Sequence, residues 1–303
     1  MPNHYTARIK HSFFENDLVT ANVTFFNSRD FTPLLFCMKI SIVTPSYNQD
    51  EFIERTIESV ISQKWNFDIE YIIMDGWSKD NTVEILKNYE KKLKWSDRIT
   101  FIRKSEKDKW QSDAINKWLK LATWNILTYL NSDDTLEPWA LEIIENKLWK
   151  SDKKWSYWKC RIIDKQDKEI RKRITLYKNI LWSNFSYSKL LSENFISQMT
   201  VFWKREVMEK CWYFDENEHL CMDYEYWLRI WEYFEPLYIP EYIADFRFYQ
   251  TSKSWAHFDK QFKDELRLAK KYARWKYKWS LLVHKFNYYK ITWIYKVLSF
   301  IKK

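Results

Sequence analysis

From Met38 onward the chain alternates between two hydrophobic rhythms. Residues 39–44 form a short β-branched run, which predicts a buried strand. Over residues 50–63, Phe52, Ile53, Ile57, Val60 and Ile61 recur at helical spacing behind polar Asn48 and Asp50, which predicts a capped helix. The same alternation predicts strands over 69–74, 99–103 and 126–130, with helices over 81–89 and 112–122. Strands separated by helices imply right-handed βαβ crossovers, and hence an α/β fold with a Rossmann-like, mostly parallel sheet flanked by helices. Ligands of such sheets sit beyond the carboxyl ends of the strands. Three loops fall at that rim, at 44–49, 75–81 and 131–135, and polar residues concentrate in them.

The third loop carries the sharpest chemistry. Asp133 and Asp134 stand side by side at the end of an apolar strand. Paired carboxylates there are costly unless a cation or hydrogen bonds compensate them. Mg²⁺ or Mn²⁺, sharing one or two carboxylates with substrate phosphates, is one solution. An Asp-rich turn capping a helix that begins near Leu136-Glu137-Pro138 is the other, and the residues alone leave both open. The first loop adds Tyr47 and the second adds Asp75, a pair suited to stacking on a nucleobase and hydrogen-bonding a ribose. Neither a P-loop lysine pattern nor G-x-G-x-x-G occurs, even with glycine written at every Trp, which weighs against kinase-like and dinucleotide-binding readings.

Composition changes the picture in one respect. The 303 residues include one glycine, Gly76, and nineteen tryptophans. Average usage of about 7% would give roughly twenty glycines. Tight turns and helix C-caps need a residue without Cβ, and many of these Trp stand where one belongs. The imbalance implies that most are glycine codons, UGA decoded as glycine but translated as tryptophan. The competing reading is a Trp-rich carbohydrate binder.

Four Cys without metal-type spacing fit a reducing cytoplasm. The net charge of +9 is uneven: residues 260–303 hold thirteen Lys or Arg against Asp264 and Glu265, a net of +11. That asymmetry describes a basic appendage on a near-neutral body and argues against a nucleic-acid binder. Residues 1–37 lack the pattern of a signal peptide. They read either as upstream sequence preceding a true start at Met38 or as a short accessory segment.

With glycine read at the Trp positions, residues 43–49 (VTPSYNQ), 73–82 (IMDGWSKDNT), 105–120 (SEKDKWQSDAINKWLK) and 130–140 (LNSDDTLEPWA) resemble family 2 glycosyltransferases of GT-A fold. The resemblance spans about residues 38–255. It implies transfer of a sugar from a nucleotide diphosphate donor to an acceptor hydroxyl, with inversion at the anomeric carbon. On that resemblance Pro45, Tyr47 and Asp75 lie on the nucleoside, and Asp113 belongs to a donor-side loop. Asp133 and Asp134 occupy the D-x-D-type position, with Asp134 the leading metal ligand; Asn131 stands where many relatives carry another acid. Asp223 matches the base that takes the acceptor proton, against a plain role capping a helix over 224–233. Arg247 and Lys253 belong to a closing segment, 247–254, that would neutralise the leaving diphosphate; a solvated surface pair is the alternative. Tyr249 stands where a histidine often occurs.

Trp77, Trp110, Trp118, Trp124, Trp139, Trp158 and Trp212 fall at the family's glycines, whereas Trp227 falls at its tryptophan and Trp155 and Trp203 read as genuine. Indoles at Trp77 and Trp110 are expected to crowd the donor pocket and strain turns that want positive φ.

The whole predicts a 38–255 catalytic domain and a 256–303 basic amphipathic helical tail. The tail reads either as a surface for anionic membrane or as a packed helical hairpin. With the former, a cytoplasmic enzyme would sit peripherally on the inner face of the plasma membrane and meet saccharide or lipid-linked acceptors. A non-catalytic nucleotide-sugar-binding module and a sugar-phosphate nucleotidyltransferase are the competing classes.

Overall fold

The computed structural model describes residues 38–64, 67–183, 185–249 and 258–301. Strand β1 (Lys39–Ser46) runs through the centre of the sheet with Ile40, Ile42 and Val43 fully buried. Helix α1 (Ile53–Ile61) leads to β2 (Asp68–Asp75), α2 (Thr82–Leu93) to β3 (Ile99–Ser105), and α3 (Gln111–Leu119) to β4 (Ile126–Tyr129). These four strands pair in parallel in the order β3-β2-β1-β4. Each was predicted within a few residues, because a β-branched run buried on both faces has few other solutions. The register sets Ser46 opposite Asp75 and Asp75 opposite Ser105, so three strand ends finish level.

Beyond β4 the sheet becomes mixed. Two residues, β5 (Thr135–Leu136), follow the acidic loop, then α4 (Ala140–Ile144), which starts two residues past Pro138. Strand β6 (Trp155–Ile163) and its short partner β7 (Glu169–Ile170) precede α5 (Lys172–Ser183) and α6 (Tyr187–Ser192). Next come β8 (Phe202–Lys204), α7 (Arg205–Cys211), α8 (Met222–Trp231) and β9 (Leu237–Arg247). The sheet continues β4-β8-β6-β9-β5, with β8 antiparallel to β4 and β6, and β5 antiparallel to β9. The small β5 rung matters most: it pairs Thr135 with Asp245 and Leu136 with Ala244, and so carries the end of β9 to the acidic loop.

Trp155, Trp203 and Trp227 are buried together in the core, with Trp155 and Trp227 stacked at 6.0 Å. The C-terminal segment forms α9 (Phe258–Tyr272), a short 3₁₀ turn at Trp275–Tyr277, and α10 (Lys278–Ile301). Both helices lie on the body. Arg267 pairs with Glu218 at 2.5 Å, Ser280 shares a 2.7 Å hydrogen bond with Ser188, and His284 contacts the Leu191 carbonyl at 2.9 Å. Residues Cys37–Lys303 make one compact unit. Among the described residues no helix is long and apolar enough to cross a membrane.

Candidate active site

The first two rim loops are laced together. The Asn48 and Gln49 amides donate to the Ser78 and Thr82 hydroxyls at 2.8 and 2.9 Å, and the Lys79 amide donates back to Asn48 Oδ1 at 2.8 Å. This lacing ties the two loops into one unit. Asp75, fully buried at the end of β2, accepts from the Ser105 hydroxyl at 2.5 Å and from the Ser78 amide at 3.2 Å. Pro45 is half-buried beside it and Tyr47 is exposed at the loop tip. Gly76 allows close approach of the next wall, since a Cβ there would lie 3.0 Å from Asp108 Oδ2. Burial and the nearby Asp113 push the Asp108 carboxyl up. Asp113 itself stays below the usual carboxylate range: burial opposes this, but the Lys109 amide and the Lys117 ammonium, each at 3.0 Å, outweigh it. Such an acid-lined floor accepts hydrogen bonds, which suits the N–H and O–H groups of a nucleoside better than its phosphates.

The third loop is held from both sides. The Thr56 hydroxyl lies 2.9 and 2.8 Å from the carbonyls of Ser132 and Asp134. From β9, the Arg247 amide donates to Asp134 Oδ1 at 2.9 Å and the Arg247 guanidinium donates to the Asp133 carbonyl at 2.8 Å. Asp134 is enclosed, with Oδ2 accepting from Asn131 at 3.1 Å. Asp133 is half-buried, and its Oδ2 accepts from the Tyr249 phenol at 2.8 Å. Burial pushes both carboxyls up, and each of these hydrogen bonds pulls the other way. Asn131 also accepts from Gln111 at 2.8 Å and donates to Gln198 at 3.2 Å, joining α3 to the loop.

Among the described residues no group of three or more His, Cys, Asp or Glu gathers to hold a metal. Asp133, the more open of the two, could give an ion one carboxylate, with phosphate oxygens and water completing the shell.

Asp223 lies in the first turn of α8, half-buried, with Oδ1 accepting from the Tyr224 amide at 2.8 Å. Below it the Tyr129 phenol is pushed well up by burial, then by Asp223 and Asp134. Both acids act on this one ring, so each lies near Tyr129. Glu265 enters this region from α9. It is buried, accepts from Asn194 at 3.1 Å and Gln261 at 3.2 Å, and burial, with Asp223 adding, pushes its carboxyl up to about 8.

Two expectations change. Arg247 is 0% exposed and so is no surface pair; its guanidinium is spent on the Asp133 and Asp164 carbonyls and on Asp167. It stands behind the acidic loop, fixing its shape. Strain is found at Trp77, with φ of 71°, but Trp110 is extended and lays its ring 4.0 Å from that of His219. Lys253 lies outside the described residues. Glu265 was missed because, by sequence, it reads as one of two solvated acids in a basic tail. Gln198 was missed because nothing in its neighbourhood marks a site.

The strand order, the acidic loop at the carboxyl rim and the mixed second half define a GT-A fold. Truncated Staphylococcus aureus TarS, residues 1–349, in complex with UDP-GlcNAc superposes with a TM-score of 0.61 at 14% identity, over 78% of this chain and 66% of that one. The mannosyltransferase PcManGT from Pyrobaculum calidifontis, in complex with GDP-Man and Mn²⁺, gives 0.59 at 16% identity, over 83% and 74%. Residues 41–212 match the family model Glycosyl transferase family 2, and the chain belongs to that family. Among curated relatives, the poly(ribitol-phosphate) beta-N-acetylglucosaminyltransferase TarP of Staphylococcus aureus is 33% identical over 111 residues, 36% of this chain and 32% of TarP. The GalNAc(5)-diNAcBac-PP-undecaprenol beta-1,3-glucosyltransferase of Campylobacter jejuni is 28% identical over 109 residues, 36% of this chain and 34% of that protein. The chain thus spans about a third of the length of these relatives.

Proposed function

We propose that the protein is an inverting glycosyltransferase that moves a sugar from a nucleotide-diphosphate donor to an acceptor hydroxyl in cell-envelope polysaccharide or glycolipid synthesis. The observation that supports this reading is that Asp75 and the Asp133–Asp134 loop follow neighbouring parallel strands at their carboxyl ends, with Asp134 and Asp223 both near Tyr129. In this reading Asp75 receives the nucleoside between the laced loops, with Pro45 and Tyr47 beside it. Asp223 takes the proton of the acceptor hydroxyl as its oxygen attacks the anomeric carbon. A carbon–oxygen bond forms on one face of the sugar and the bond to the diphosphate breaks on the other, which inverts the centre. Asp133, with Asp134 enclosed behind it, would hold Mn²⁺ or Mg²⁺, which when bound neutralises diphosphate charge. The Campylobacter relative, named for an undecaprenol-linked substrate, favours a lipid-linked acceptor.

We also infer that most Trp here stand for glycine. Five described residues have positive φ: Asn48, Trp77, Asp167, Arg171 and Trp212. Asn and Asp tolerate that region, whereas a bulky residue there is an outlier. Trp212 also closes α7, the position where glycine commonly ends a helix. Trp158 supplies no such support, being buried with its indole donating to Ser156 at 2.9 Å. The functional chain in this reading is the glycine-restored one.

The test is sugar transfer from a panel of nucleotide-diphosphate sugars with Mn²⁺, by the glycine-restored protein and by its Asp133→Asn and Asp223→Asn variants. Transfer by the parent with inversion at the anomeric carbon, lost in both variants, is expected. Tight nucleotide-sugar binding without turnover would establish the non-catalytic module instead. Coding DNA with UGG at Trp77 and Trp212 would remove the recoding inference.

A further inference from the structure

Helix α10 meets the body largely through polar groups, with Leu281 packed on the core beside them: Ser280, His284 and Thr292 are buried, Ser280 bonds Ser188, His284 meets the Leu191 carbonyl, and Asn287 donates to the Ser192 carbonyl at 3.3 Å. Its outer stripe is apolar: Leu282, Phe286 and Tyr289, at i, i+4 and i+7, are exposed, Phe286 by 68%. Trp279 and Trp293 extend the stripe, but it exists without them. Helix α5 repeats the pattern with Leu176 and Ile180 at i, i+4, Ile180 exposed by 62% and Ile174 and Tyr177 alongside. The two helices meet at one carboxylate: Glu193 Oε2 accepts from the Tyr177 phenol at 2.9 Å and from Asn287 at 3.4 Å.

We propose that α5 and α10 form one face that docks on an anionic lipid surface. A monomer rarely leaves two apolar rows this exposed, joined through Glu193, in water. Charge selects the occupant. Residues 171–192 hold five Lys or Arg and no acid, and residues 266–303 hold eleven and no acid. Two copies of this face would bring cations against cations, whereas an anionic bilayer complements each of them and receives the apolar row between headgroups. The helices lie in the interface; among the described residues none is fit to span it. Helix α10 packs on α6 and α9 on α8, so the C-terminal pair borders the helix that carries Asp223. The proposal adds a surface to the reading above and is measured without any sugar donor, so the two can fail separately.

The experiment is flotation of the full chain with vesicles of phosphatidylcholine alone or mixed with phosphatidylglycerol, at low and high salt. The wild type is expected to float only with phosphatidylglycerol present. Leu176→Ser/Ile180→Ser and Leu282→Ser/Phe286→Ser/Tyr289→Ser should each weaken binding by about tenfold or more while leaving the circular dichroism unchanged. Lys172→Glu/Lys285→Glu, which leaves the apolar row intact, should weaken it at low salt. A wild type that stays unbound, or Ser variants that float like it, would overturn the proposal. So would a dimer by sedimentation that the Ser variants dissolve with vesicle binding unaltered.

Discussion

The Tyr249 phenol donates a 2.8 Å hydrogen bond to Oδ2 of Asp133. Burial pushes the Asp133 carboxyl up, and this bond is the main force holding it down. Tyr249→Phe removes the bond and should move Asp133 higher still. If the ionised acid serves the donor diphosphate, the acidic limb of kcat/KM against pH shifts upward in the variant. A limb unchanged from wild type would show that another group titrates there.

Trp77 and Trp212 carry side chains on backbone at φ 71° and 65°, and both are largely exposed. Strain of this kind costs about 1–3 kcal/mol. Trp77→Gly and Trp212→Gly should each stabilise the protein by about 1 kcal/mol in denaturant melts. Trp227→Gly, which empties a fully buried site, should cost about 3–5 kcal/mol. A loss of stability at all three would sink the distinction.

Glu265 sets a pH dependence of stability. Its folded carboxyl titrates at about 8, well above the unfolded carboxylate range. Between those values the folded state holds a proton that the unfolded state has released. Stability from this group is therefore full at acid pH and falls as pH rises toward 8, by at most about 1.4 kcal/mol per unit. Glu265→Gln should flatten that slope between about pH 5 and 8. Melting temperatures across the range check it, and an unchanged slope would assign it elsewhere.

Asp134 and Asp223 should fail differently. Asp134→Ala strands the buried Arg247 amide and the Asn131 side-chain donor, costing about 1–3 kcal/mol. Asp223, half-buried in the first turn of α8, is assigned to the chemistry, and Asp223→Asn, which keeps its size, should drop kcat by about 10²–10⁴ while the melt moves less than in Asp134→Ala. Equal losses of stability would deny Asp223 its separate role.

The parallel half of the fold was legible because buried strands and amphipathic helices write their period into the sequence. Asp75 and the acid pair were legible because carboxylates at strand ends are costly without a reason. Arg247 was found as a residue but not in its place: a cation near acids reads as a phosphate contact, and only the β5–β9 rung reveals it as enclosed. Glu265 shows the same limit, since its burial depends on α9 folding back over α8. Long-range pairing leaves no period to read.

Arg247 joins the last strand to a loop more than a hundred residues earlier. During synthesis, the laced loops around Asp75 can close as soon as α3 has emerged. The acid pair then waits, held by Thr56 and Asn131 but without its Arg247 clamp, until β9 leaves the ribosome. A chain cut short before that strand would own the laced loops around Asp75 and no clamped acid pair. Order of synthesis thus separates the two halves of the rim, and the acid pair is clamped only when the body is nearly complete.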